Sequence, residues 1–307
     1  MTSPQKLPNL RLIEKIGEGG MSTVWKALDL IRGRPVAVKI LNRELSLRPE
    51  DVDSFMDEER LMSVIRHPGI VEAYYINNVG GTWYLVMELV DGYTFADFLR
   101  RKLHVCEPDC LLICESVASA LDYAWNHHGV VHCDIKPENI MINTDGIVKL
   151  TDLGISHRFD AAAIERHSAA EHVLGTPAYI SPEQVYGDVE LDCRADIYSL
   201  AATLYHLATG RILFAAMSND DTMRAQCSEK AQANDPRTYR PDLSEGFCQM
   251  LEAMLVKDRN YRISSWATVF QMCQDIENGI KFKPRTAPAP SSVRLTPQAV
   301  RSSGGQA

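Results

Sequence analysis

Asp134, Lys136 and Asn139 stand close together in the stretch His132-Cys133-Asp134-Ile135-Lys136-Pro137-Glu138-Asn139, with Pro137 stiffening the backbone between the last two. They supply a carboxylate, an ammonium and an amide oxygen. Such a set suits phosphoryl transfer: the carboxylate can accept a hydroxyl's proton, the cation can face the transferring group, and the amide oxygen can bind the hard ion Mg2+. The same octapeptide also reads as a solvated polar turn, because Asp, Pro and Asn are all turn residues. Taken alone, it leaves both readings open.

Other motifs surround it in a fixed order. Residues 16–24 read Ile-Gly-Glu-Gly-Gly-Met-Ser-Thr-Val, followed by Val36-Ala37-Val38-Lys39, Glu58, the octapeptide, Asp152-Leu153-Gly154 and Ser181-Pro182-Glu183. A glycine-rich tip between two strands lets backbone N–H groups approach phosphate oxygens, although an isolated Gly-x-Gly is more often a simple hairpin turn. Lys39 sits inside an apolar run, where a charge needs an anionic partner. Each motif is weak by itself. The ordered set resembles the protein kinase signature, most nearly the bacterial serine/threonine kinases of eukaryotic type, across residues 10–278.

That resemblance implies an α+β, bilobal fold, with a small antiparallel β-sheet lobe carrying one main helix over 10–90 and a larger, mostly helical lobe over 91–278. It implies transfer of the γ-phosphate of ATP to protein Ser or Thr hydroxyls, the chain's own included. Asp134 becomes the base and Lys136 the cation, a Lys typical of serine/threonine specificity. Asn139 and Asp152 become ligands of Mg2+, with Mn2+ as substitute. The nucleotide falls to Ile16, Gly17, Glu18, Gly19, Gly20 and Val24 above it, with Ala37, Lys39 and Glu58 behind the phosphates. Met87 guards the back of the adenine pocket, Glu88 and Val90 offer backbone groups to its edge, and Met141 forms its floor. Asp196 supports the catalytic loop, and Glu183 pairs with Arg262. Relatives also form homodimers through the small lobe.

The chain departs from the family pattern at three positions. Cys133 replaces the usual Arg before the catalytic Asp, so the bidentate grip of a guanidinium on a phosphorylated activation segment is missing. Activity is therefore expected not to depend on that route. Leu153 replaces Phe, and Ala201 replaces a common Gly. Ser156, Ser168, Thr176 and Ser181 are the hydroxyl carriers of the activation segment, with Ser168 favoured for autophosphorylation and Thr176 read as structural.

These groups need elements to hold them. Alternation after Leu10 predicts strands on either side of the glycines, and further strands are expected at 69–77 and 82–89, joined by Gly80-Gly81. A helix beginning near Pro49 carries Glu58 on the face of Phe55, Leu61, Met62 and Ile65, which favours it over Glu59. Helices are expected at 95–101, 107–128, 196–209, 243–256 and 264–277, the third apolar on nearly every side and so buried. Residues 1–9 read as a leader, and 279–307 as a disordered tail rich in Pro, Ser and Ala.

At 307 residues the chain is long enough for a substantial core, and its formal net charge of −8 offers no basic stripe for a nucleic acid. The eight cysteines include no Cys-x-x-Cys pair. Cys106, Cys110 and Cys114 share one helix face near His104; buried packing is the more frequent role for such thiols than a metal cluster. No stretch approaches a membrane span or a signal peptide, which points to a reduced, cytoplasmic setting with protein substrates and ATP as partners. Lys39, Asp134 and Asp152 are all retained, against a pseudokinase scaffold or nucleotide sensor. The 175–183 stretch argues against a small-molecule kinase.

Overall fold

Period-two alternation in Arg34–Leu41 (β3) sends Val36 and Val38 to one face and Ala37 and Lys39 to the other. In the computed structural model, which describes residues 7–101, 104–153, 176–188, 190–215 and 218–280, Val36 and Val38 are buried with Leu10, Ala27, Tyr84 and Val86. This core lies on one side of an antiparallel sheet ordered β1-β2-β3-β5-β4, formed with Leu10–Glu18 (β1), Ser22–Asp29 (β2), Ala73–Val79 (β4) and Thr82–Met87 (β5). Gly80 and Gly81 take φ values of +59° and +82°, so the two-residue β4–β5 turn needs residues that tolerate left-handed backbone. Helix α1 (Pro49–Val64) follows β3 and opens on its proline.

The strand expected from residue 69 begins instead at Ala73. Residues 69–71 spend their backbone groups elsewhere: Leu150 N–H donates to Gly69, and Val71 N–H donates to Leu150. Leu150 belongs to a second sheet, Gly92–Thr94 (β6), Ile140–Asn143 (β7) and Val148–Leu150 (β8), ordered β6-β7-β8. Gly92 lies so close to β7 that a Cβ there would meet the Ile142 carbonyl at 1.9 Å. These pairings group Asn139–His157 with Met1–Thr94 in one compact unit; Phe95–Glu138 and Arg158–Ala307 form the other. A linear cut at residue 90 carries no sign of that return.

The second unit is helical in its described residues. Phe95–Arg101 (α2) is followed by Glu107–His128 (α3), which starts on a Pro and stops at Gly129, left-handed at φ +64°. Then come Pro182–Val185 (α4), Cys193–Thr209 (α5), Asn219–Cys227 (α6), Glu245–Met254 (α7) and Trp266–Glu277 (α8). Ser218, Ser244 and Ser265 cap three of these by accepting a backbone N–H through their hydroxyls. Helix α5 is buried on every side, Ile197, Leu200, Leu204 and Leu207 having no exposure, and α3 packs against both α5 and α8.

Cys110 and Cys114 on α3 are buried, whereas Cys106 at its N-cap is exposed. Among the described residues no cluster of His, Cys, Asp and Glu could hold a metal, and no helix is long and apolar enough to cross a membrane. The leader through residue 6, Gly154, Ser156, Ser168 and the tail from residue 281 lie outside the described residues.

Candidate active site

The first unit carries one set of groups. Ala37 pairs in register with Met87, and Lys39 with Leu85, so β3 and β5 align the two sides of the expected nucleotide pocket. Lys39 Nζ lies 3.0 Å from Asp152 Oδ1, an ion pair between a mostly buried ammonium and a half-exposed carboxylate. Asp152 reaches it from left-handed backbone, φ +53°, a conformation non-glycine residues adopt seldom and mostly where surroundings enforce it.

Asn139 is brought to the same strand ends by the β7–β8 hairpin. Ile140 opposes Leu150, so Asn139 opposes Thr151, whose N–H donates to the Asn139 carbonyl at 2.9 Å. Asn139 and Asp152 are thus a residue apart across the hairpin, both offering oxygen donors. Glu88 lies just past β5; its N–H donates to the Glu72 carbonyl and its carboxylate pairs with Lys149 on β8 at 2.8 Å. Val90 and Met141 are half-buried.

The glycine-rich turn joins β1 to β2. Gly19 N–H donates to the Ser22 carbonyl, while Asn42, just beyond β3, donates through its side chain to Gly20 and through its N–H to Met21. Ile16 is exposed, Gly17 pairs with Val24, and Glu18 is turned to Lys15 at 2.7 Å. Glu58 lies on α1, but its side chain, like that of Glu59, is outside the described residues.

The second unit carries the other set. Asp134, 7 % exposed, receives Lys136 Nζ at 2.6 Å from Oδ2, and the Thr176 hydroxyl and N–H at 3.1 and 3.2 Å from Oδ1. Lys136 also donates to the Thr176 hydroxyl at 2.8 Å. A carboxylate, a cation and a hydroxyl therefore meet in one small volume.

The backbone around Asp134 is fixed from below. Asp196 on α5 accepts from His132 N–H at 2.7 Å and Cys133 N–H at 2.8 Å. Burial raises the Asp196 pKa, opposed by those two N–H groups and by His132. Thr203, two turns along α5, donates to the Ile135 carbonyl. Cys133 is itself left-handed, φ +65°, with its thiol turned toward the Val131 carbonyl among Val131, Ala195, Trp125 and Leu191. Burial drives that thiol's pKa far up, which keeps it protonated and inert.

Beyond this site, Arg262 and Glu183 form a two-pronged buried bridge at 2.6 and 2.9 Å. Arg262 also donates to the carbonyls of Val256, Arg194 and Lys257, so each nitrogen of the guanidinium is engaged.

Sequence reasoning missed Asn42, Lys149, Thr203 and Gln184. Gln184 donates to the Cys133 carbonyl at 2.8 Å while accepting at Ser181. A capping box over Ser181-Pro182-Glu183-Gln184 was legible as Ser followed three residues on by Gln. Its second partner, on a distant loop, was not.

A family model described as protein kinase domain matches residues 10–275. The serine/threonine-protein kinase PknA of Mycobacterium tuberculosis is 34% identical over 297 residues, 95% of this chain and 66% of PknA. PrkC of Bacillus subtilis, also titled a serine/threonine-protein kinase, is 31% identical over 273 residues, 88% of this chain and 40% of PrkC. The chain thus spans just under two thirds of PknA and less than half of PrkC. Among solved structures, the PknI kinase domain of M. tuberculosis shares the fold, with a TM-score of 0.70 and 22% identity over 92% of this chain and 99% of that one.

Proposed function

The chain belongs to the protein kinase family, and on that footing we propose that it is a serine/threonine protein kinase transferring the γ-phosphate of ATP to protein hydroxyls, its own among them. The observation that carries this reading is the Thr176 hydroxyl 3.1 Å from Asp134 Oδ1, beside the Lys136 ammonium. It displays the carboxylate in the relation an acceptor hydroxyl needs. Asp134 orients that hydroxyl and takes its proton late, which suffices for a loose transition state that requires little early deprotonation. Lys136 offsets charge on the group in transit.

In the first unit, Lys39 is the cation for the nucleotide phosphates, held in place by Asp152. Asn139 and Asp152 present hard oxygen donors, a set suited to Mg2+ or Mn2+ rather than to softer ions. A divalent ion bound there neutralises phosphate charge. Ala37, Met87 and Met141 supply apolar surface for a purine, and backbone at Glu88 and Val90 supplies its polar edge. Eight free cysteines, six of them buried, suit a reducing compartment such as the cytoplasm.

The test is transfer of labelled phosphate from γ-labelled ATP with Mg2+, comparing the chain with Asp134→Asn and mapping the products. Loss of about 100-fold or more in the variant, with nucleotide binding kept and phosphate on Ser or Thr, is expected. Equal transfer by both proteins, or none by either, would sink the reading.

A further inference from the structure

The Gln184 side chain is held at both ends. Its Oε1 accepts from Ser181 N–H at 3.2 Å and from the Ser181 hydroxyl at 2.9 Å, closing the N-terminal cap of α4. Its Nε2 donates to the Cys133 carbonyl at 2.8 Å. The amide is buried, so water offers no substitute for either bond.

The peptide it grips is the one entering Asp134. Cys133 sits at φ +65°, where a side chain is disfavoured and a surrounding structure has to impose the conformation. Its N–H is anchored by Asp196 and its carbonyl by Gln184. With one end released, rotation of the Cys133–Asp134 peptide would swing the carboxylate away from Thr176 and Lys136. Helix capping occupies Oε1 and does not account for the second bond, which Nε2 makes to a distant carbonyl.

We propose that Gln184 is a positioning residue: through the Cys133 carbonyl it locks the left-handed turn that aims Asp134, and it ties the base to the segment ending at Ser181. The proposal rests on the kinase reading for its rate consequence but not for its structural one. A shift of Ser181 away from α4 would be felt at Asp134 through one amide.

Gln184→Glu separates the two roles. Glutamate serves the capping box as well as glutamine does, but sets an oxygen against the Cys133 carbonyl in place of a donor. The expected result is a kcat lowered about tenfold or more, the equivalent of one buried hydrogen bond, with KM for ATP near that of the unchanged chain and a melting temperature lowered while the carboxyl is ionised. Relative to that chain, kcat should recover at lower pH, where the buried carboxyl, its pKa raised by desolvation, is protonated and donates again. Gln184→Ala should lose both kcat and melting temperature. Amide hydrogen exchange over residues 131–136 should accelerate in Gln184→Glu, a readout independent of activity.

Unaltered exchange there, or an unaltered kcat in an active protein, overturns the proposal. So does a kcat loss matched by an equal loss of nucleotide affinity, which marks a purely structural residue. Absence of phosphate transfer by the unchanged chain refutes the kinase reading instead, and the exchange measurement still decides whether Gln184 holds this turn.

Discussion

The Thr176 hydroxyl donates to Asp134 Oδ1 at 3.1 Å, so the segment after residue 175 is fastened directly to the proposed base. Thr176→Ala removes this contact and one acceptor of Lys136, which keeps its pairing with Asp134. Transfer should fall about tenfold, while Thr176→Ser retains most of it. Steady-state rates on a generic protein substrate, with nucleotide binding measured separately, check this.

Cys133 has its thiol buried and directed at the Val131 carbonyl, away from any surface on which a phosphate could dock. Alkylation of the folded protein should spare Cys133 and modify the exposed Cys106, read by peptide mass spectrometry. Phosphatase treatment should leave the transfer rate unchanged, because the residue before Asp134 is Cys133 and not an arginine that would grip a phosphorylated segment. A rate abolished by dephosphorylation and restored on rephosphorylation would count against this.

Glu183 and Arg262 are 5 % and 0 % exposed in their side chains. Glu183→Gln leaves a buried guanidinium without its counter-charge, a loss of about 3–5 kcal/mol by analogy with other broken buried pairs. At about 2–4 °C per kcal/mol, the melting temperature should drop roughly 6–20 °C. Thermal unfolding followed by circular dichroism provides the measurement.

His206 on α5 has its pKa lowered by burial, and its Nδ1 lies 2.7 Å from the Tyr179 hydroxyl. The unfolded chain takes up a proton near the ordinary histidine pKa of about 6.5, while the folded chain resists until lower pH. Stability from this group is complete above about pH 6.5 and is lost as pH falls through the folded-state value. His206→Gln should flatten that part of the stability profile, measured by urea titration at successive pH values. An unchanged slope would assign the acid sensitivity elsewhere.

Several elements were legible because their signals are local. The helices at Phe95–Arg101 and Glu107–His128 match the expected spans, the second announced by Pro108 and Gly129. The buried α5 followed from its apolar surface, and the β4–β5 turn from paired glycines. Boundaries slipped where the backbone found a distant partner. Residues 69–71 read as strand because they are apolar, yet they bond with Leu150, about eighty positions on.

What the sequence determined by itself was the inventory: a glycine-rich turn, a lysine in an apolar strand, the Asp134, Lys136 and Asn139 set, and Asp152. Residue type and order sufficed, since each group's chemistry is intrinsic. Only the tertiary structure decided what holds them. Lys39 meets Asp152 across more than a hundred residues, and the turn at Cys133 is clamped by Asp196 and Gln184, each from beyond the segment. A hydrogen bond reaches about 3 Å, so its partner is chosen by where folding brings the chain and not by its place in the sequence.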